Sequence, residues 1–226
     1  MLKKLTYLLP AILLFSCNGC GDEKPTSIVA SNDGSDTAVE TQLPSAPQEI
    51  YEAVDKDLQV YFDAMNSGDY VTHVERAHPG IFHTEDEKIY QIETLADWRK
   101  KGLVNYARNI EIEYISPGVQ LDTSIAYAVY LTGDFIVDFE DHFEGNRATY
   151  DGQIKATFVR FPMEWDSVKT QYSGHGEQLV YAITSENNLD FYFINERFVQ
   201  TDRMGPIVDY DSMKKLKEYE KLYSNR

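Results

Sequence analysis

The hydrophobic period of this chain changes once, near residue 109, from 3.6 residues to 2. Apolar residues recur at helical spacing before that point and alternate with polar ones after it. On a helical projection Ile50, Val54, Leu58, Tyr61, Phe62 and Met65 fall within an arc of about 120°. Ser45 and Gln48 fit a capping box that would open this helix, predicted to run to about Asn66. The turn residues Asn66-Ser67-Gly68-Asp69 stop it. Residues 69–78 read as a short second helix closed by Pro79-Gly80, and Ile89–Lys101 as a third with Ile92, Leu95 and Trp98 on one face.

From Asn109 onward Ile110, Ile112 and Tyr114 alternate with Glu111 and Glu113, the pattern of a half-buried antiparallel strand. Ile125–Phe139 reads as a long strand that Gly133 bends or bulges, and Ala148–Phe161 as another. Pro162–Gly176 reads as a loop. Glu177–Thr184 and Leu189–Val199 follow as strands hinged at Ser185-Glu186-Asn187-Asn188. Residues 211–223 read as a terminal helix rich in Lys and Tyr. Three helices followed by long antiparallel strands make an α+β order, with the helices on one face of a strongly curved sheet.

The first seventeen residues set an address. Lys3 and Lys4 precede a short apolar run that ends in Leu14-Phe15-Ser16-Cys17. A run this short does not make a stable membrane span and reads as a secretory signal. With Leu14 three residues before Cys17, it resembles a bacterial lipoprotein signal. That resemblance implies cleavage after Ser16, diacylglyceryl attachment to the Cys17 sulfur and acylation of the new amino terminus, palmitate included. An ordinary signal peptide cut nearby is the alternative. Residues 18–47 are Ser, Thr, Asp, Gly and Pro with little to bury, and read as a disordered tether. The expected organisation is a signal peptide over 1–16, an acidic tether over 17–47, a folded domain over 48–200 and a C-terminal extension with a short helix over 201–226.

Charge narrows the partners. The chain carries a net charge of −16, which becomes −18 once Lys3 and Lys4 leave with residues 1–16. Such an acidic surface repels nucleic acid and anionic headgroups, so membrane attachment must come from acyl chains. Cys17 and Cys20 are the two cysteines, and lipidation of the first leaves the second without an intramolecular partner. Sixteen Tyr and eleven Phe then supply the buried area that disulfides would otherwise reinforce.

The segment Tyr61-Phe62-Asp63-Ala64-Met65-Asn66-Ser67-Gly68-Asp69, set in this element order, resembles the NTF2-like superfamily, which includes the ketosteroid isomerases and SnoaL-like proteins. The resemblance implies a cone of curved sheet wrapped round the first helix and open at one end to a cavity. It also implies two functions of different class. The first is a non-catalytic binding module for a small apolar ligand, a peptide or an envelope protein, with Tyr61, Trp98 and Tyr114 lining the cavity. The second is an isomerase, dehydratase or hydrolase in which Tyr61 donates to a developing oxyanion and Glu85 or Asp86 moves the proton. By register, the place of the isomerases' protonated Asp donor holds Ala156 or Thr157, which removes half of the oxyanion hole. The binding module is therefore the expected function.

Other readings of the same residues are structural. Tyr61 has the phase of a core aromatic, and Glu85 lies in the charge cluster His83-Thr84-Glu85-Asp86-Glu87 of a solvated turn. Asp57 falls inside the apolar arc of the first helix; it reads as a helix-edge residue reaching water, whereas a buried carboxylate there would mark a site. His73, His78 and His83 are spaced by five, which on a helix does not bring them to one face. No metal, nucleotide or other cofactor is expected, since phosphate-loop, dinucleotide and nucleophile-elbow motifs are missing. Expected partners are the membrane through the anchor, at the outer membrane of a bacterial envelope, and a second copy packing through Val129, Leu131, Phe191 and Phe193.

Overall fold

The computed structural model describes residues 43–158, 160–185, 189–196 and 204–226. The signal segment, Cys17, the tether as far as residue 42, the hinge residues 186–188 and the strand end at 197–199 lie outside them. Within them the protein is α+β: five α-helices and a six-stranded antiparallel sheet.

Helix α1 (Gln48–Ser67) buries Ile50, Val54 and Leu58 from the expected apolar arc. The capping box does not form, because Pro47 is the N-cap and no side chain caps the helix. Residues 43–47, expected as the end of the tether, are instead laid along the sheet. The Ala46 amide donates to the Ile115 carbonyl at 3.0 Å, and the Tyr114 hydroxyl donates to the Pro44 carbonyl at 2.7 Å. Helix α2 (Tyr70–Glu75) and a 3-10 turn (Pro79–Ile81) follow. Helix α3 (Glu85–Lys100) starts four residues before its expected onset, because Thr84 caps it by accepting from the Glu87 amide and its first turn is acidic. No α3 residue is fully buried.

The strands are β1 (Leu103–Ile115), β2 (Val119–Gln120), β3 (Ser124–Phe139), β4 (Glu164–Asp166), β5 (Gln171–Ser185) and β6 (Tyr192–Asn195). Sheet order is β1-β3-β5-β4, with β2 on β3 and β6 on β5. β1 begins six residues before the expected Asn109. Its register against β3 shifts between Arg108 and Glu111, where Asn109 takes a positive φ of 51°. Gly133 sits opposite that bulge: a Cβ there would lie 2.4 Å from Ile110 Cδ1. The irregularity expected at Gly133 thus falls on its neighbouring strand.

β5 also begins earlier than expected, inside the segment read as a loop. Gly174 and Gly176 had suggested that loop, but they serve close packing: a Cβ on Gly176 would lie 2.2 Å from the Phe161 ring. The largest correction is Ala148–Phe161, expected as a strand. Residues Ala148–Thr157 form helix α4 instead. Tyr150, Ile154 and Phe158 share one face at a spacing of four, so they also satisfy a helical period. Local bonds support the helix: the Asn146 side chain accepts from the Ala148 amide, and Arg147 meets Asp151 at 3.6 Å across one turn.

Helices cover both faces of the sheet rather than one. Odd-numbered β3 residues and their partners, such as Val129 with Val180 and Tyr127 with Ala182, face α1 and α4. Even-numbered ones, such as Ala128 with Tyr181 and Tyr130 with Leu179, face the other way. That outer surface is covered by helix α5 (Tyr210–Ser224), whose Leu216 and Tyr223 are buried. Val129, Leu131, Phe191 and Phe193, expected as an outer pairing surface, belong to the inner core under α1.

Candidate functional site

The nine-residue segment that carried the family resemblance is a structural joint. Gly68 takes φ 84° at the end of α1, a left-handed conformation suited to glycine, and its amide donates to the Ala64 and Met65 carbonyls. Asp69 then caps α2 by accepting from the Thr72 amide at 3.1 Å. The Asn66 side chain grips β1 with both its groups, donating to the Ala107 carbonyl at 2.7 Å and accepting from the Ala107 amide at 2.9 Å. Arg99 of α3 donates to the Asn66 carbonyl at 3.2 Å. One short turn therefore fixes α1, α2, α3 and β1 relative to one another.

Directly after α2 the chain is extended and pairs with β6. The Phe193 amide donates to the Arg76 carbonyl at 2.8 Å, and the His78 amide donates to the Phe193 carbonyl at 3.1 Å. Beneath this segment lies Asp57, 1% exposed on α1 and not at a wet helix edge as expected. It accepts from the Phe191 amide at 2.8 Å through Oδ2, and its Oδ1 stands 3.4 Å from Arg76 Nη1. That Oδ1 accepts no hydrogen bond from the described residues. Asp57 thus links the first helix to the β6 entrance and to Arg76.

A cleft of about 610 Å³ opens over this arrangement. Its apolar lining comes from Val74, Ala77, Pro79, Phe82 and Tyr192, and its charged lining from Glu75, Arg76, Glu85 and Lys88. Tyr192 is 41% exposed, an unusual position for a large aromatic. Lys88 lies 4.0 Å from Glu75 and 3.9 Å from Glu85, contacts long enough to be loose. His83 and Thr84 complete the rim at the start of α3.

The residues expected to act together are separated. Tyr61 is half-buried in the inner core, its ring 4.2 Å from that of His73 and 5.6 Å from that of Phe193. Trp98 packs against the same core. Tyr114 belongs to the outer core, 4.9 Å from the Tyr223 ring. Glu85 and Asp86 are exposed in the first turn of α3; Glu85 lines the cleft and Tyr61 does not. Thr157 lies on α4, its hydroxyl donating to the Gln153 carbonyl, so the strand register that placed it in an oxyanion hole does not exist.

The histidines are set in different surroundings. Burial pushes the His73 imidazole below its usual pKa, partly opposed by its contact with the Tyr61 carbonyl at 3.1 Å. Burial lowers His78 as well, and its Nδ1 accepts from the Gly80 amide. Among the described residues no group of three or more His, Cys, Asp and Glu could hold a metal ion. No helix among them is long and apolar enough to cross a membrane.

A second polar cluster occupies the outer face. Arg160 binds Glu196 through two nitrogens, at 2.6 and 2.7 Å, and reaches Glu177 at 3.4 Å. The Tyr223 hydroxyl donates to Glu177 at 2.9 Å and that of Tyr181 to Glu220 at 2.6 Å. Burial, together with the nearby Glu220, pushes the Tyr130 phenol up to about 12. These groups satisfy one another and hold α5 down.

The sequence reading missed Arg76 and Tyr192, which carry no motif. The signal that was available is Asp57, a charged residue inside an apolar arc, whose burial requires a partner on another element.

No family model and no curated protein matches the chain. Among the solved structures that align with this chain, two do so at 11% identity. One is the intermembrane space region of the chloroplast protein ARC6, with a TM-score of 0.36 over 67% of this chain and 95% of that one. The other is a putative dehydratase of the NTF2-like family from Streptomyces avermitilis, with a TM-score of 0.29 over 65% of this chain and 93% of that one. Neither likeness bears on what this chain does.

Proposed function

We propose that this protein is a lipid-anchored envelope protein whose NTF2-like domain is a non-catalytic binding module, with the cleft between α2, α3 and β6 as its site. The cleft carries the reading: one concavity sets the apolar side chains of Phe82 and Tyr192 beside the charged groups of Glu75, Arg76, Glu85 and Lys88. The tyrosine and carboxylate needed for proton transfer do not share it. The NTF2-like assignment rests on the element order and on the Asn66–Asp69 joint that fastens three helices to β1. The anchor rests on the sequence pattern ending at Cys17.

Two measurements test these parts separately. Radiolabelled palmitate is expected to enter the native chain and not Cys17→Ala; equal labelling of both removes the anchor. Ligand-observed NMR with a set of small fragments on the mature chain is expected to find binders that Tyr192→Ala loses. Binders indifferent to Tyr192, or turnover of a carbonyl substrate abolished by Tyr61→Phe, would overturn the binding-module reading.

A further inference from the structure

The geometry points to the ligand class of the cleft: a small monocarboxylate with an apolar body, its carboxylate seated on Arg76. This rests on the binding-module reading and sharpens it. A guanidinium presents five donors in a planar fork suited to carboxylates. Arg76 lines the cleft with its side chain 29% exposed, and its 3.4 Å approach to Asp57 is the ion pair it makes among the described residues. Its charge is held in place without its donors being used up. The contact is an ion pair without a hydrogen bond, and Asp57 is itself fixed by the Phe191 amide at 2.8 Å.

The surroundings define the rest of the ligand. Lys88, with its side chain 26% exposed, lines the same cleft and adds a second positive charge. Phe82 and exposed Tyr192 offer apolar surface to whatever body the carboxylate carries. Glu75 and Glu85, both loosely tied to Lys88, line the cleft as negative charges. With Asp57 they set three carboxylates against two cations, so a second negative charge on the ligand finds no cation and dianions are disfavoured.

The test uses the mature chain and three phenyl-bearing probes: 3-phenylpropionate, its isosteric amide 3-phenylpropanamide, and the dianion phenyl phosphate. Binding is read from the backbone amide of Tyr192 and the side-chain Nε–H of Arg76 in ¹H–¹⁵N spectra. The propionate is expected to bind about tenfold or more tightly than the amide and the phosphate, the span a charge-assisted hydrogen bond supplies. Lys88→Gln is expected to weaken the propionate several-fold and leave the amide unchanged. The double variant Asp57→Asn/Arg76→Gln removes the charge pair together and is expected to abolish the preference for acid over amide. Should that variant fail to fold, the three probes on the native chain and Lys88→Gln still decide. Equal binding of acid and amide at Tyr192 overturns the carboxylate assignment while the binding module stands. Silence of Tyr192 and Arg76 toward every probe overturns the carboxylate assignment, and the same silence toward the fragment set overturns the module as well.

Discussion

On the inner face of the sheet, Val129, Leu131, Val180 and Phe193 meet α1 through apolar side chains. On the outer face, Tyr114 and Tyr130 stack on Tyr223 of α5, and phenol-to-carboxylate bonds run from Tyr181 to Glu220 and from Tyr223 to Glu177. The strands supplying both faces are the same alternating segments, so the difference comes from the covering helix. α1 offers a wide apolar arc and gains from area removed from water. α5 carries four lysines and three glutamates or aspartates among fifteen residues, and buries Leu216 and Tyr223. A helix so polar is held by hydrogen-bonded tyrosines as well as by area, and its seat responds to protons where the inner face responds to volume.

The largest effect expected is from Leu58→Ala, which empties a site 1% exposed under α1. A loss of about 3 kcal/mol in denaturant melts is expected, within the range for such truncations. A loss below about 1 kcal/mol would mean that the inner face is not the volume-sensitive one. Next is Gly176→Ala, whose new methyl meets the Phe161 ring. Overpacking of this kind costs about 2 kcal/mol, and the companion change Phe161→Leu is expected to recover part of it.

The outer face is tested by Tyr181→Phe, which removes the donor to Glu220 and is expected to cost about 1 kcal/mol. Its pH profile is the sharper measure. Burial raises the Glu220 carboxyl above its ordinary pKa, opposed by the Tyr181 hydrogen bond. The folded state therefore holds that proton more tightly than the unfolded chain. Its contribution to stability is present below the unfolded pKa and is lost as pH rises through the raised folded one. Glu220→Gln is expected to flatten that part of the stability profile, and a Leu58→Ala profile to keep it. The smallest effect is a gain. Gly152 lies within α4 with open space where a Cβ would stand, so Gly152→Ala is expected to stabilise by about 0.5–1 kcal/mol in thermal melts.

Much of the architecture was legible because it is written locally. The arc from Ile50 to Met65 made α1, the turn at Gly68-Asp69 ended it, and the apolar run that opens at Ile125 made β3. Boundaries were less legible where a residue type serves two purposes. Gly174 and Gly176 read as loop glycines and proved to be strand positions cleared for Phe161. Tyr150, Ile154 and Phe158 suit either period, and bonds from Asn146, Arg147 and Asp151 resolved them into a helix. The site was scarcely legible. Asp57 was noticed as out of place, but Arg76 and Tyr192, nineteen and 135 residues further on, join it only through the pairing of residues 76–78 with β6.

The amino-acid order alone determined the types of most elements, α4 excepted, together with the joint between α1 and α2, the strong acidity and the cysteine pattern at the amino terminus. Each of these is a property of neighbouring residues, set by period, turn chemistry or composition. Which helix covers which face, where Asp57 finds its cation and which side chains share a cleft were decided by the tertiary structure. Those outcomes depend on competition among distant surfaces for burial and for hydrogen bonds, and no short stretch of sequence contains both competitors.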